Sequence, residues 1–83
     1  MYEIKYSSDA LKQLESLEHN IKERILIALE RIRIRPQAYV KRLVGDPRYS
    51  LRVGDYRIIL NIQNDKLLIL VIKIGHRKNV YKS

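Results

Sequence analysis

Residues 49 to 62 read Tyr49-Ser50-Leu51-Arg52-Val53-Gly54-Asp55-Tyr56-Arg57-Ile58-Ile59-Leu60-Asn61-Ile62. Tyr49, Leu51 and Val53 alternate with Ser50 and Arg52, and Tyr56, Ile58, Leu60 and Ile62 alternate with Arg57, Ile59 and Asn61. Two period-two runs separated by Gly-Asp predict a β-hairpin in which Gly54 supplies the positive φ of a type I′ or II′ turn. The register follows: Val53 faces Tyr56, and Arg52 faces Arg57. Directly opposite residues share a face, with Cβ atoms about 4.5 to 5.5 Å apart, so two like charges there repel unless an anion or an acid joins them.

Working outward, Asn64-Asp65 is a second turn, and Lys66 to Ile74 is apolar at nearly every position, the pattern of a strand buried on both faces. Its antiparallel return brings Gly75-His76-Arg77 back beside Arg52 and Arg57, with Tyr81 on the short tail that follows. Gly45, like Gly54, reads as a chain reversal.

Upstream, Tyr2, Ile4 and Tyr6 alternate with Glu3 and Lys5 as a short strand. Ser7 or Ser8 then caps a helix with Ala10, Leu11, Leu14 and Leu17 on its apolar face. Asn20 and Glu23 have the spacing of a capping box, which predicts a second helix starting after His19, striped by Ile21, Ile25, Ala28, Leu29 and Ile32 and ended by Pro36. The predicted order is strand, helical hairpin, then a three-stranded antiparallel meander. This is an α+β fold with the helices on one face of a twisted, mainly antiparallel sheet.

The chain has 83 residues and a formal charge of +8, a length that suits one domain over residues 1–83. Residues 1–30 hold four Lys/Arg against six Asp/Glu, a net of −2, and residues 31–83 hold thirteen against three, a net of +10. Such a one-sided field steers polyanions, of which nucleic acids are the commonest. No cysteine is present, which removes disulfides and thiolate metal sites and suits a reducing compartment. The opening residues carry no apolar signal segment and no later stretch reaches membrane-spanning length, so a soluble cytoplasmic protein with no membrane partner is expected.

Three arginines, a histidine and a tyrosine thus meet at one sheet edge: Arg52, Arg57, Arg77, His76 and Tyr81. Attack of a ribose 2′-OH on the adjacent phosphate needs a proton acceptor, charge stabilisation at phosphorus and a proton for the leaving 5′-oxygen. Guanidinium forks suit the second task, and Tyr81 or His76 could transfer protons. His19 and His76 are the only histidines, and neither has the spacing of a metal-ligand motif. No metal site or cofactor is expected. Gly-rich phosphate loops, nucleophile elbows and paired carboxylates are absent from the sequence.

Leu51-Arg52-Val53-Gly54-Asp55-Tyr56-Arg57-Ile58-Ile59, Val71-Ile72-Lys73-Ile74-Gly75-His76-Arg77 and Val80-Tyr81 together resemble the RelE/ParE toxin superfamily, in particular its RelE-like branch. The resemblance runs over nearly the whole chain and implies a β-α-α-β-β-β fold. It also implies a toxin of a type II toxin–antitoxin system that cleaves mRNA in the ribosomal A site without metal. The family's catalytic positions correspond to Arg57, Arg77 and Tyr81, with His76 where some relatives place a basic or imidazole group. Two family lysines fall on Arg48 and Ser50, which leaves the proton acceptor open, and Arg52 is close enough to stand in for one of them. Lys41, Arg42, Arg48, Arg52 and Lys78 are the remaining candidate RNA-binding residues. The chain ends two residues after Tyr81, so the C-terminal helix of longer members is expected to be missing. The implied partners are mRNA, the ribosome and a cognate antitoxin whose acidic, amphipathic segment would answer the basic half. The ParE branch, which acts on DNA gyrase, and a non-catalytic RNA-binding relative are the competing readings. Arg57, Arg77 and Tyr81 together favour the nuclease.

Overall fold

In the computed structural model, residues 1–76 are described. Arg77, Lys78 and Tyr81 lie outside them. The chain runs β1 (Glu3–Tyr6), α1 (Ser8–Glu15), α2 (His19–Ile32), a 3₁₀ turn (Pro36–Ala38), β2 (Lys41–Arg42), β3 (Tyr49–Val53), β4 (Tyr56–Gln63), a second 3₁₀ turn (Asn64–Lys66) and β5 (Leu68–His76). The five strands form one open sheet ordered β1-β5-β4-β3-β2. β1 runs parallel to β5, and every other pair is antiparallel. The α+β architecture is the one expected, with an added edge strand.

Ser7 is the cap that starts α1: it stays extended (φ −67°, ψ 162°) and its Oγ accepts from the Ala10 N–H at 3.0 Å. Ala10 and Leu14 then face inward. α2 begins one residue earlier than the sequence implied. Glu18 holds the cap position without a side-chain bond, so Asn20 falls inside the first turn and the expected capping box does not form. Nor does α2 reach Pro36: it stops at Ile32, and Pro36 instead opens the first 3₁₀ turn after Arg35, whose backbone is non-helical (φ −145°, ψ 73°). Arg33 ties this end to the N-terminus, its carbonyl accepting from Tyr2 N at 2.8 Å and its Nε donating to the Tyr2 carbonyl at 2.9 Å.

Ala10, Leu14, Ile25, Leu29 and Ile32 pack on Leu51, Ile58, Leu60, Ile69, Val71 and Ile74 in one buried cluster. All the strand members stand on the face towards the helices. β5 starts two residues later than expected, because Leu67 turns left-handed (φ 50°) after the 3₁₀ turn. Its burial also alternates, with Ile69, Val71 and Ile74 buried and their neighbours half-exposed. The expected burial on both faces is therefore corrected: only one face is covered by helices. A bulge interrupts β5, since Ile59 pairs with Lys73 and Leu60 with Val71, which leaves Ile72 without a partner in β4. The Ile72 carbonyl accepts from Ser7 Oγ at 2.7 Å.

Candidate functional site

The β3–β4 hairpin pairs Val53 with Tyr56 and Arg52 with Arg57, the register expected. Gly54 has φ +59°, and among described non-glycine residues only Leu67 has positive φ, so the turn is type II′. Side chains alternate faces along a strand. Leu51 and Ile58 therefore point to the helices, while Ser50, Arg52, Arg57 and Ile59 point to the face without them. Lys41 pairs with Ser50, and Lys73 with Ile59, so both join that open face.

Tyr39, Lys41, Ser50, Arg52 and Arg57 line a hollow of about 130 Å³ on this face. Three cations thus surround it, with no carboxylate among the described lining residues. Arg52 is exposed and its Nε reaches the Gly54 carbonyl at 3.3 Å, which lays the side chain back along the turn. Arg57 is half-buried and Ser50 is buried, forming the floor. Tyr39, half exposed, follows the first 3₁₀ turn and stands at the rim. A site of this kind offers fork-shaped donors and a point charge to phosphate oxygens.

Other expected residues stand elsewhere. His76 pairs with Tyr56 rather than with either arginine, and the two rings meet edge to face with centroids 5.6 Å apart. Alternation puts both on the helix-side face at the hairpin end, opposite Arg57. Arg42 neighbours Lys41 on the two-residue β2 and so belongs to the other face. Arg48 is engaged: its Nε and Nη2 grip both oxygens of Asp46 at 2.7 to 3.0 Å, and its N–H donates to Asp46 Oδ1 at 2.8 Å. These hydrogen bonds lower the Asp46 pKa from 3.8 to about 2. Arg77, Lys78 and Tyr81 fall outside the described residues. Ser50 was visible in the sequence as the residue two before Arg52. Tyr39 gave no signal, because it ends the first 3₁₀ turn before β2 begins and so belongs to no periodic run. Among the described residues, no three of His, Cys, Asp and Glu gather where they could hold one metal ion, and no helix is long and apolar enough to cross a membrane.

The family model of the ParE toxin of type II toxin–antitoxin systems, parDE, matches residues 4–81. The chain belongs to this toxin family. A RelE-like toxin protein of Escherichia coli is 25% identical over 80 residues, covering 93% of this chain and 84% of its own length. The toxin also superposes on the intact Escherichia coli RelBE toxin–antitoxin complex with TM-score 0.81, at 23% identity over 92% of this chain and 96% of that one. For the RelBE2 complex of Mycobacterium tuberculosis the TM-score is 0.84, at 22% identity over 92% and 98% of the two chains. The archaeal RelE–RelB complex of Pyrococcus horikoshii gives 0.77, at 24% identity over 95% and 98%. These structures share the fold: two helices on a mixed five-stranded sheet within the RelE/ParE superfamily.

Proposed function

We propose that this toxin is a metal-independent endoribonuclease that cuts mRNA on the ribosome. The observation that carries the reading is the pairing of Arg52 with Arg57 in a hollow shared with Lys41, with no Asp or Glu among the described residues that line it. A phosphodiester in that hollow is met by guanidinium forks from both strands of the hairpin. In the reaction the ribose 2′-oxygen attacks the adjacent phosphorus, its proton passes to a base, and the 5′-oxygen leaves with a proton. The products are a 2′,3′-cyclic phosphate and a 5′-OH. Arg57 and Arg77 serve the charge at phosphorus, with Tyr81 in proton transfer, as the family resemblance implies; His76, turned to the other face of the sheet beside Tyr56, is not given that role. Lys41 and Arg52 bind flanking phosphates. Arg42, Arg48 and Lys78 have weaker support, since Arg48 is held by Asp46 and Arg42 faces away.

An antitoxin with an acidic, amphipathic segment is the proposed protein partner, because related toxins were solved as complexes with antitoxins and the net charge of +10 on residues 31–83 calls for acidic groups.

Expression from a tight promoter, with 5′ ends of mRNA mapped for the natural sequence and for Arg57→Ala, tests the activity. New cuts within reading frames that vanish with Arg57→Ala support it. Ends bearing 3′-OH and 5′-phosphate, the products of a metal-activated water, defeat the chemistry. The matching family model carries the ParE name, which favours a second reading as a gyrase-directed toxin. DNA breaks with intact message would establish that one instead.

A further inference from the structure

Around the hairpin from the open face lies a second depression of about 380 Å³, lined by Arg24, Ile27, Ala28, Arg31, Arg52, Val53 and Gly54. Arg24, Ile27 and Arg31 stand three and four positions apart on α2, one exposed ridge of that helix. Arg52 contributes to both depressions. Among the described residues the ion pairs are His19–Glu23, Arg33–Glu30 and Arg48–Asp46, so none engages Arg24, Arg31 or Arg52. The Arg24 guanidinium lies over the turn: a Cβ built on Gly54 would come within 3.4 Å of its Nη2. β2 pairs only with Tyr49 and Ser50, which leaves the outer edge of β3 uncovered by β2 beside Arg52 and Val53. A cationic track therefore runs from Arg57 and Lys41, over the bare end of β3 at Arg52, and into the groove against α2.

We propose that this groove binds the phosphodiester backbone of single-stranded RNA leading away from the phosphate held at Arg57, with Arg24 and Arg31 as its phosphate ligands. The inference rests on the reading of the open face as an RNA site. Guanidinium forks in a lining that holds no carboxylate among its described residues select phosphate, and continuity through Arg52 selects the same strand. Neither arginine belongs to the reacting centre, so both act on affinity and not on the chemical step.

The test uses a labelled 2′-O-methyl RNA, which lacks the attacking hydroxyl, titrated by fluorescence anisotropy across a range of salt. Arg24→Gln with Arg31→Gln should weaken binding roughly tenfold at about 0.1 M salt and flatten the plot of log K against log salt by about 1.4, the loss of two single-strand contacts. The pair Arg24→Lys with Arg31→Lys should restore most of the slope. Arg31→Gln alone, on an exposed helix position, should give about half the effect and serves if the double variant unfolds. An unchanged slope in the glutamine variants, with binding still lost in Arg57→Ala, overturns the groove and leaves the open-face site standing. Absence of RNA binding by the natural sequence defeats the open-face reading and this one with it. If the glutamine variants keep the RNA slope but bind poly-glutamate more weakly, the groove belongs to an acidic protein segment and the proposal is wrong.

Discussion

Arg57 is held by two neighbours of known register, Arg52 on one side and Gly75 on the other. Gly75 adds no side chain on that side. Arg57→Ala should slow cleavage by about two to three powers of ten with the fold intact, the usual result of losing one group that stabilises developing charge. Arg52→Ala, at an exposed position shared by two phosphate paths, should act mainly on KM. Comparable kcat losses in both variants would contradict that division. Asp46 gives a prediction in pH. Its folded pKa, about 2, lies below its ordinary 3.8, so the clasp on Arg48 is complete above about pH 4 and is lost as pH falls towards 2. An NMR titration of the Asp46 carboxyl should find its midpoint near the lower value, and Arg48→Ala should return it towards the ordinary range.

At the scale of elements, α1 does more than cover the core. Where β1 ends at Tyr6, β5 continues for five further residues, and its exposed edge needs partners. Ser7 N–H takes the Val71 carbonyl at 2.9 Å, Ser7 Oγ takes the bulged Ile72 carbonyl, and Gln13 Oε1 accepts from Ile74 N–H at 2.6 Å. Gln13→Ala leaves that amide, on a buried residue, without its acceptor and should cost about 1 to 3 kcal/mol in urea unfolding. Gln13→Glu retains an acceptor and should lose less. The hairpin was fully legible, because Gly54-Asp55 fixes both turn and register. β2 was not, since two residues carry no period. The capping-box spacing at Asn20 and Glu23 misled because α2 had already begun at His19. His76 was expected beside the arginines, yet β5 runs on to pair it with Tyr56. A strand end judged to lie at Ile74 hides which face the next two residues take. Arg24 and Arg31, on a helix that holds three Lys/Arg against two Glu, were missed because net charge over a segment says nothing about one side of a helix.

For the whole molecule, charge and shape separate. The helices cover one face of the sheet, and the other carries Lys41, Arg52, Arg57 and Lys73. An acidic antitoxin approaching that field gains speed more than residence. Its association rate should fall roughly tenfold or more between low and physiological salt, with dissociation changing much less, in stopped-flow or surface-binding kinetics. A salt response confined to dissociation would argue for an apolar docking site instead. The parallel pairing of β1 with β5 has another outcome. Ser7 and Ile72 bond across 65 positions of chain, so the sheet completes only after a long loop closes, and contacts of that range make for slow, cooperative folding. Neither half owns a core: Ile4 needs Ile69, and Ile25 needs Ile58. A backbone nick between α2 and β2 should thus give two inert pieces that reassemble by mass action, a poison that exists only when both halves meet.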